Sequence, residues 1–172
     1  MKNIFFVGFM GTGKTTISKI VAEQLNMKWA DLDNLIVQRE GRSIVEIFNT
    51  DGENYFRELE KKVLNEIADI GGYVVSTGGG IVILDENVEI MKKNGVMVTL
   101  VATPEIIYER LKNDDTRPLL QVEDPLDEIK RLMFERAKFY IKGNIIVDTS
   151  EDEPENLANQ IIEEIKNFNG TR

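Results

Sequence analysis

The clearest chemical pattern in the sequence is a glycine-rich loop near its start. Residues 8–15, GFMGTGKT, match G-x-x-x-x-G-K-[S/T], follow an apolar run and open a helical one. The glycines let successive backbone N–H groups converge on phosphate oxygens, and the amino terminus of the helix adds a favourable dipole. The pattern predicts a nucleoside triphosphate site made by Gly11, Thr12, Gly13, Lys14, Thr15 and Thr16.

Oxygen donors at and near this loop could serve a magnesium ion. Lys14 would reach the β- and γ-phosphates, and the hydroxyl group of Thr15 would ligate Mg²⁺. Asp31 and Asp33 follow a second apolar run, where a parallel sheet places the strand ends that face ligands. One carboxylate could lie in the outer shell of Mg²⁺ while the other accepts a hydrogen bond from a substrate hydroxyl group. The alternative is that Asp33 only caps the next helix.

A carboxylate interrupts the apolar face of a long helical segment. The apolar stripe consists of Phe56, Val63 and Ile67, and the position that completes it is Glu60. A carboxylate on a buried face needs a partner, and Arg57 stands three residues earlier, within reach. A guanidinium group held in this way suits the capture of a substrate carboxylate or phosphate. An ordinary surface ion pair remains the alternative.

Three further arginines are candidates for anion binding. Arg136 recurs with apolar and aromatic residues on the inward face of segment 125–140, where a basic side chain is rarely buried without an anion. Arg110 and Arg117 flank or lie within the polar segment 112–124, which predicts a lid. A lid arginine could neutralise the transferring phosphoryl group once both substrates are bound. Solvated surface arginines are the alternative for both residues.

Three consecutive glycines, Gly78, Gly79 and Gly80, separate two runs of strand-forming residues in VVSTGGGIVI, residues 74–83. Glycine at such a place marks either a sharp bend or a close approach of another group to the backbone. If the acceptor molecule lies here, the backbone N–H groups can donate to it.

The composition excludes several kinds of chemistry. The 172 residues contain no cysteine and no histidine, so disulfides, thiolate nucleophiles and imidazole bases are absent. The formal net charge is −9, which would repel a nucleic acid. No stretch approaches the length of about 20 apolar residues that a membrane span needs. The sequence predicts a cytoplasmic protein that binds neither nucleic acid nor membrane.

Apolar strand-like runs alternate with helical periodicity along the whole chain. The runs lie at 4–7, 28–30, 73–76, 96–101 and 144–147, and the clearest helical segments at 15–25, 53–70, 104–111, 125–140 and 154–168. Strands that are apolar on both faces and alternate with helices predict an α/β fold with a parallel sheet covered on both sides. The segment 34–70 is mostly helical and too long for one crossover, which predicts a helical insertion at about 33–62 that binds the substrate.

Two classes of nucleotide-binding protein fit the glycine-rich loop. A GTPase switch would need a guanine-reading N-K-x-D motif, which is absent, and the one D-x-x-G match, at 69–72, precedes a strand where it should follow one. A small-molecule kinase is therefore the leading class.

Taken together, these motifs resemble the shikimate kinase family over nearly the whole chain. The matching stretches are GFMGTGKTT at 8–16, DLD at 31–33, GRSIVEIF at 41–48, GENYFRELE at 52–60, STGGG at 76–80, Arg117-Pro118 and ER-x₃-Y at 135–140. The resemblance implies a single domain, 1–172, with a three-layer α/β/α fold like that of P-loop nucleoside monophosphate kinases and a five-stranded parallel sheet.

The resemblance also implies site roles. The shikimate-binding residues would be Asp33, Arg57, Gly78, Gly79, Gly80 and Arg136. The catalytic residues would be Lys14, Asp33 and Arg117, with Thr15 and Asp31 serving Mg²⁺. Arg110 and Pro154 would enclose the adenine, and Arg117 would also contact the nucleotide.

The expected reaction is transfer of the γ-phosphoryl group of ATP to the 3-hydroxyl group of shikimate, by a monomer. The alternatives are another P-loop kinase of a small hydroxylated acid, such as gluconate, and a nucleotide-binding regulatory module.

Overall fold

Five strands form a parallel sheet through the middle of the protein, as the alternating pattern predicts. The computed structural model describes residues 2–113 and 122–170. The strands are β1 (Asn3–Gly8), β2 (Lys28–Asp31), β3 (Tyr73–Ser76), β4 (Gly95–Val101) and β5 (Ile145–Asp148). They lie side by side in the order β2-β3-β1-β4-β5, and every neighbouring pair is parallel.

Helices cover both faces of the sheet. They are α1 (Lys14–Gln24), α2 (Leu32–Glu40), α3 (Ile44–Ile70), α4 (Asp85–Asn94), α5 (Pro104–Leu111), α6 (Pro125–Tyr140) and α7 (Pro154–Gly170). The apolar residues of α1 and α7 pack in one core, and those of α2 to α6 pack in the other. This is the three-layer α/β/α architecture.

The central strand β1 shows why both faces need cover. All six of its residues are buried, and successive side chains point to opposite faces. Phe5 packs in the core beneath α3 and α4, whereas Phe6 packs in the core beneath α1 and α7. An apolar strand of this kind is stable only between two layers.

The segment between β2 and β3 contains more helix than its periodicity predicts. Helix α3 begins at Ile44 rather than at residue 53, and Ser43 and Glu46 form a reciprocal capping box at its start. Gly52 interrupts it with φ 83°, a left-handed conformation that favours glycine, so the helix is kinked there. The predicted helix therefore corresponds only to the part after the kink.

The β-branched residues that follow the three glycines do not form a strand. Residues Ile81–Ile83 form a 3₁₀ turn, in which the N–H of Ile81 donates to the carbonyl of Gly78 at 3.3 Å. The N–H of Ile83 donates to the carbonyl of Gly80 at 3.1 Å. Helix α4 follows directly, so β-branched residues here pack in the core without forming a strand.

The carboxyl ends of the parallel strands meet at one edge of the sheet. The glycine-rich loop follows β1, Asp31 ends β2, and the three glycines follow β3. This edge is where open α/β sheets bind ligands. None of the helices in the described ranges is long and apolar enough to cross a membrane.

Asn3 joins the start of β1 to the connection between α3 and β3. Its side chain is fully buried, its amide donates to the carbonyl of Ala68 at 3.1 Å, and its oxygen accepts from the N–H of Tyr73 at 2.9 Å. The carbonyl of Ala68 lies in the last turn of α3, where carbonyl groups have no N–H donor within the helix. One side chain thus satisfies two backbone groups.

We expect Asn3→Leu to lower the free energy of unfolding by about 2–3 kcal/mol, because both backbone groups lose their partner in a buried site. Urea denaturation would measure the change. The control is Asn65→Leu, since the amide of Asn65 donates only to Lys61 within α3, and a change below about 1 kcal/mol is expected. Equal effects of the two variants would contradict this role for Asn3.

Candidate active site

The glycine-rich loop encloses the ammonium group of Lys14. Its Nζ donates to the carbonyl of Gly8 at 2.9 Å and to that of Phe9 at 2.8 Å. Gly13, with φ 90°, precedes α1, and no acidic side chain lies in the first turn of that helix. A cation and a helix amino terminus therefore face the same space, an arrangement that suits phosphate.

A cleft of about 430 Å³ joins this loop to the ends of β2 and β3. The predicted site residues along it are Gly11, Gly13, Lys14, Thr15, Thr16, Asp31, Asp33, Gly78 and Gly79. Residues distant in the sequence thus line one space, next to the loop that fits phosphate.

The two aspartates after β2 have different roles. Asp31 caps α2, because its Oδ1 accepts a hydrogen bond from the N–H of Asn34 at 3.0 Å. Asp33 lies inside the first turn and is half-buried. The alternative that Asp33 only caps the helix is therefore wrong, because Asp31 caps α2 and Asp33 lines the cleft.

Arg57 is held between two glutamates on α3. Its guanidinium group contacts Oε2 of Glu60 at 2.8 Å and Oε1 of Glu53 at 3.2 Å. Glu60 is fully buried, whereas the side chain of Glu53 is 61% exposed. The sequence-based inference of a buried Arg57–Glu60 pair agrees with this geometry, and an ordinary surface ion pair does not.

Burial raises the pKa of Glu60 to about 7, against the opposing charge and hydrogen bond of Arg57. The negative charge of Asp33 raises it further. Oε1 of Glu60 accepts no hydrogen bond from the described residues and faces Gly78, where an added Cβ atom would lie 3.3 Å away. The pair thus changes its charge near neutral pH.

The three glycines admit different neighbours against the backbone. A Cβ atom on Gly78 would lie 2.8 Å from Oδ1 of Asp33, and one on Gly80 would collide with the guanidinium group of Arg57. A Cβ atom on Gly79 would meet only ordinary contacts, the nearest being the carbonyl of Gly8 at 3.5 Å. None of the three has a positive φ. Close approach, rather than a strained bend, explains glycine at positions 78 and 80.

Helix α6 contacts the loop after β1 and the glycines after β3. The guanidinium group of Arg136 lies 5.9 Å from the ring centre of Phe9, and Arg136 is half-buried. One turn later, the hydroxyl group of Tyr140 donates to the carbonyl of Gly79 at 2.7 Å. The inward direction inferred for Arg136 agrees with this geometry.

A second cleft, of about 460 Å³, lies on the other side of the glycine-rich loop. It shares Gly13 and Thr16 with the first cleft and is also lined by Arg110 and Pro154. A nucleotide could thus place its base in one cleft and its terminal phosphate in the other.

Thr149 and Ser76 were not anticipated from the sequence. Arg110 donates to the carbonyl of Thr149 at 2.5 Å and to the carbonyl of Gly11 at 3.1 Å, and the hydroxyl of Thr149 donates to the carbonyl of Thr12 at 3.0 Å. The hydroxyl of Ser76 lies 3.3 Å from that of Thr15. Ser76 belongs to the STGGG stretch, but neither its spacing nor that of Thr149 indicates these contacts.

Arg117 and most of the predicted lid, 112–124, lie outside the described residues.

A further cleft, of about 510 Å³, lies against β2 between α2 and α3 and contains no residue of the glycine-rich loop. The chemistry therefore centres on the two clefts that share the loop.

The family model for shikimate kinase matches residues 10–166. The shikimate kinase of a Sulfurihydrogenibium species is 46% identical over 166 residues, covering 96% of this chain and 99% of the relative. A solved structure of the Acinetobacter baumannii shikimate kinase in complex with shikimate superposes with a TM-score of 0.90 at 35% identity, covering 97% of this chain and 94% of that one. The Bacteroides thetaiotaomicron enzyme superposes with a TM-score of 0.89 at 35% identity, covering 96% and 98%. By sequence and by fold, this chain belongs to the shikimate kinase family.

Proposed function

We propose that this chain transfers the γ-phosphoryl group of ATP to the 3-hydroxyl group of shikimate, giving ADP and shikimate 3-phosphate. The observation that carries the proposal is the shared cleft, in which the phosphate-binding loop faces Asp33 and the glycines after β3. It occurs in a chain of the shikimate kinase family. A GTPase switch or a regulatory module would not need Asp33 and the glycines after β3 to face the phosphate-binding loop.

The acceptor would be held by charge and by backbone donors. Shikimate carries a carboxylate, for which Arg57 and Arg136 supply guanidinium groups. Asp33 would accept a hydrogen bond from a ring hydroxyl group, and the N–H groups of Gly79 and Gly80 would donate to the acceptor. The absence of side chains at the glycines would leave room for the ring.

Catalysis would consist mainly of positioning and charge neutralisation. Lys14 would neutralise charge on the transferring phosphoryl group, and Arg117 would join it from the lid. Asp33 would orient the attacking hydroxyl group and take its proton. Because a loose transition state places little charge on the nucleophile early, its orientation would matter more than early proton removal.

The donor set fits a magnesium ion that arrives with the nucleotide. Thr15 and Asp31 line the same cleft, and no group of three acidic side chains suitable for a metal occurs among the described residues. Mg²⁺ binds through one or two protein ligands together with phosphates and water, so this sparse set is sufficient. When bound, the ion would neutralise phosphate charge.

The remaining assignments belong to the same proposal. Arg110 and Pro154 would enclose the adenine in the second cleft. The insertion at about 33–62 would carry acceptor contacts, and segment 112–124 would act as the lid of a single domain, 1–172. A cytoplasmic monomer would suffice, because ATP is abundant in that compartment and one chain supplies every site residue named.

An ADP-release assay tests the proposed reaction. With ATP and Mg²⁺ present, shikimate should stimulate ADP release far above the rate measured without acceptor, and gluconate should not. Stimulation by gluconate alone would point to the neighbouring kinase class. The absence of any acceptor-dependent ADP release would overturn the proposal.

Arg136→Ala should raise the KM for shikimate by about 10- to 100-fold and leave the KM for ATP within about twofold, because a charged partner of the acceptor is lost. The matched control is Arg131→Ala on the same helix, whose side chain is 54% exposed and pairs with Glu128 and Glu135. That variant should match the wild type. An equal rise in the KM for shikimate and in the KM for ATP in Arg136→Ala would show that Arg136 stabilises the structure instead of binding the acceptor.

The KM for shikimate should rise by about fivefold between pH 8 and pH 6 at saturating ATP. Because the pKa of Glu60 is raised from 4.5 to about 7, its carboxylate holds Arg57 above that pH, and protonation removes the charge below it. Glu60→Gln should show a raised KM without this pH dependence.

Glu53→Gln is the control for this experiment, because Glu53 contacts the same guanidinium group but is exposed. It should retain the wild-type pH dependence. If the KM for shikimate kept its pH dependence in Glu60→Gln, a group other than Glu60 would be responsible for it.

A further inference from the structure

Tyr140 is anchored at the end of α6 through both its backbone and its side chain. Its carbonyl accepts a hydrogen bond from the hydroxyl of Thr99 on β4 at 2.9 Å, and its own hydroxyl donates to the carbonyl of Gly79 at 2.7 Å. The residue is only 7% exposed. A buried donor held in this way fixes the direction of the carbonyl that it contacts.

The bond to Gly79 has a consequence for the next residue. The carbonyl of Gly79 and the N–H of Gly80 belong to one planar trans peptide group, so they point in opposite directions. When the carbonyl points to the hydroxyl group of Tyr140, the N–H of Gly80 points away from that hydroxyl group. That N–H donates to no acceptor within residues 2–113 and 122–170, so it is available to a ligand.

Consecutive glycines do not hold a peptide plane by themselves. Without Cβ atoms, Gly79 and Gly80 have wide conformational freedom, and rotation of the peptide between them would turn its N–H the other way. The following 3₁₀ turn restrains the carbonyl of Gly80, through the N–H of Ile83 at 3.1 Å, but not the carbonyl of Gly79. Within the described residues, the hydroxyl group of Tyr140 supplies that restraint by donating to the carbonyl of Gly79.

The same hydroxyl group lies near the acceptor-binding arginine of α6. Burial raises the pKa of Tyr140 above its ordinary value of 10, and the nearby charge of Arg136 opposes this rise. The hydroxyl is therefore protonated at neutral pH and remains a donor.

We propose that Tyr140 is a positioning residue for the acceptor: its hydroxyl group orients the Gly79–Gly80 peptide so that the N–H of Gly80 can donate to the bound acceptor. Tyr140 does not touch the acceptor itself. The inference rests on the proposed function, since it assigns an indirect role at the same site.

Tyr140→Phe removes the hydroxyl group and keeps the ring. We expect the KM for shikimate to rise about tenfold, with kcat and the KM for ATP within about twofold of the wild type, because only the acceptor loses a prearranged donor. The matched control is Tyr73→Phe, since Tyr73 lies at the opposite end of the sheet, where its ring contacts Lys28. This control should leave all three constants unchanged.

The amide resonance of Gly80 supplies a second measurement. In ¹⁵N-labelled protein, it should shift on addition of shikimate to the wild type, and it should differ in unliganded Tyr140→Phe. An unchanged KM for shikimate, or an equal rise in both KM values with a lowered melting temperature, would overturn the positioning role. These results concern the ratio of variant to wild type, so failure of the proposed reaction would be distinct: the wild type itself would release no ADP in response to shikimate.

Discussion

The parallel pairing of β1 with β3 is the constraint on which the rest of the site depends. The register places Phe6 beside Ser76, and Thr77 extends it, because both its N–H and its hydroxyl group donate to the carbonyl of Phe6 at 3.1 and 2.8 Å. The loop after β1 and the glycines after β3 therefore leave the sheet side by side. A slip by one residue would turn every side chain of β3 to the opposite face and separate the two loops.

Charge is the second constraint, because two anionic substrates must bind to a protein with a formal net charge of −9. Local structure overrides the overall field by holding cations in place. Arg57 lies between two glutamates, and Lys14 and Arg110 donate to backbone carbonyls. Such contacts reduce the freedom of long side chains before a ligand binds, which favours binding. Burying Glu60 for this purpose is unfavourable in itself, and its raised pKa reflects that penalty.

The glycine segment illustrates where sequence reasoning was sufficient and where it failed. The sequence left two explanations for the three glycines, a sharp bend or the close approach of another group to the backbone. The spacing of the glycines does not distinguish between them. The structure favours close approach, since Asp33 lies against Gly78 and Arg57 against Gly80. The β-branched residues after the glycines form no strand, because the 3₁₀ turn at Ile81–Ile83 buries Ile81 and Val82 without one. Sequence periodicity likewise predicted a helix that begins at residue 53, directly after the kink at Gly52, because glycine is common at helix boundaries.

The sequence by itself determined the class of protein, the phosphate-binding loop, the parallel sheet and the Arg57–Glu60 pair. These features depend on contacts between near neighbours in the chain or on strict periodicity, both of which can be read from residue order. Only the tertiary structure decided that Asp31 caps α2 while Asp33 lines the cleft, that Thr149 links Arg110 to the loop, and that the hydroxyl group of Tyr140 donates to the carbonyl of Gly79. The reason is physical: a hydrogen bond across 61 residues depends on how a helix packs on a sheet, and that packing leaves no local signature in the sequence.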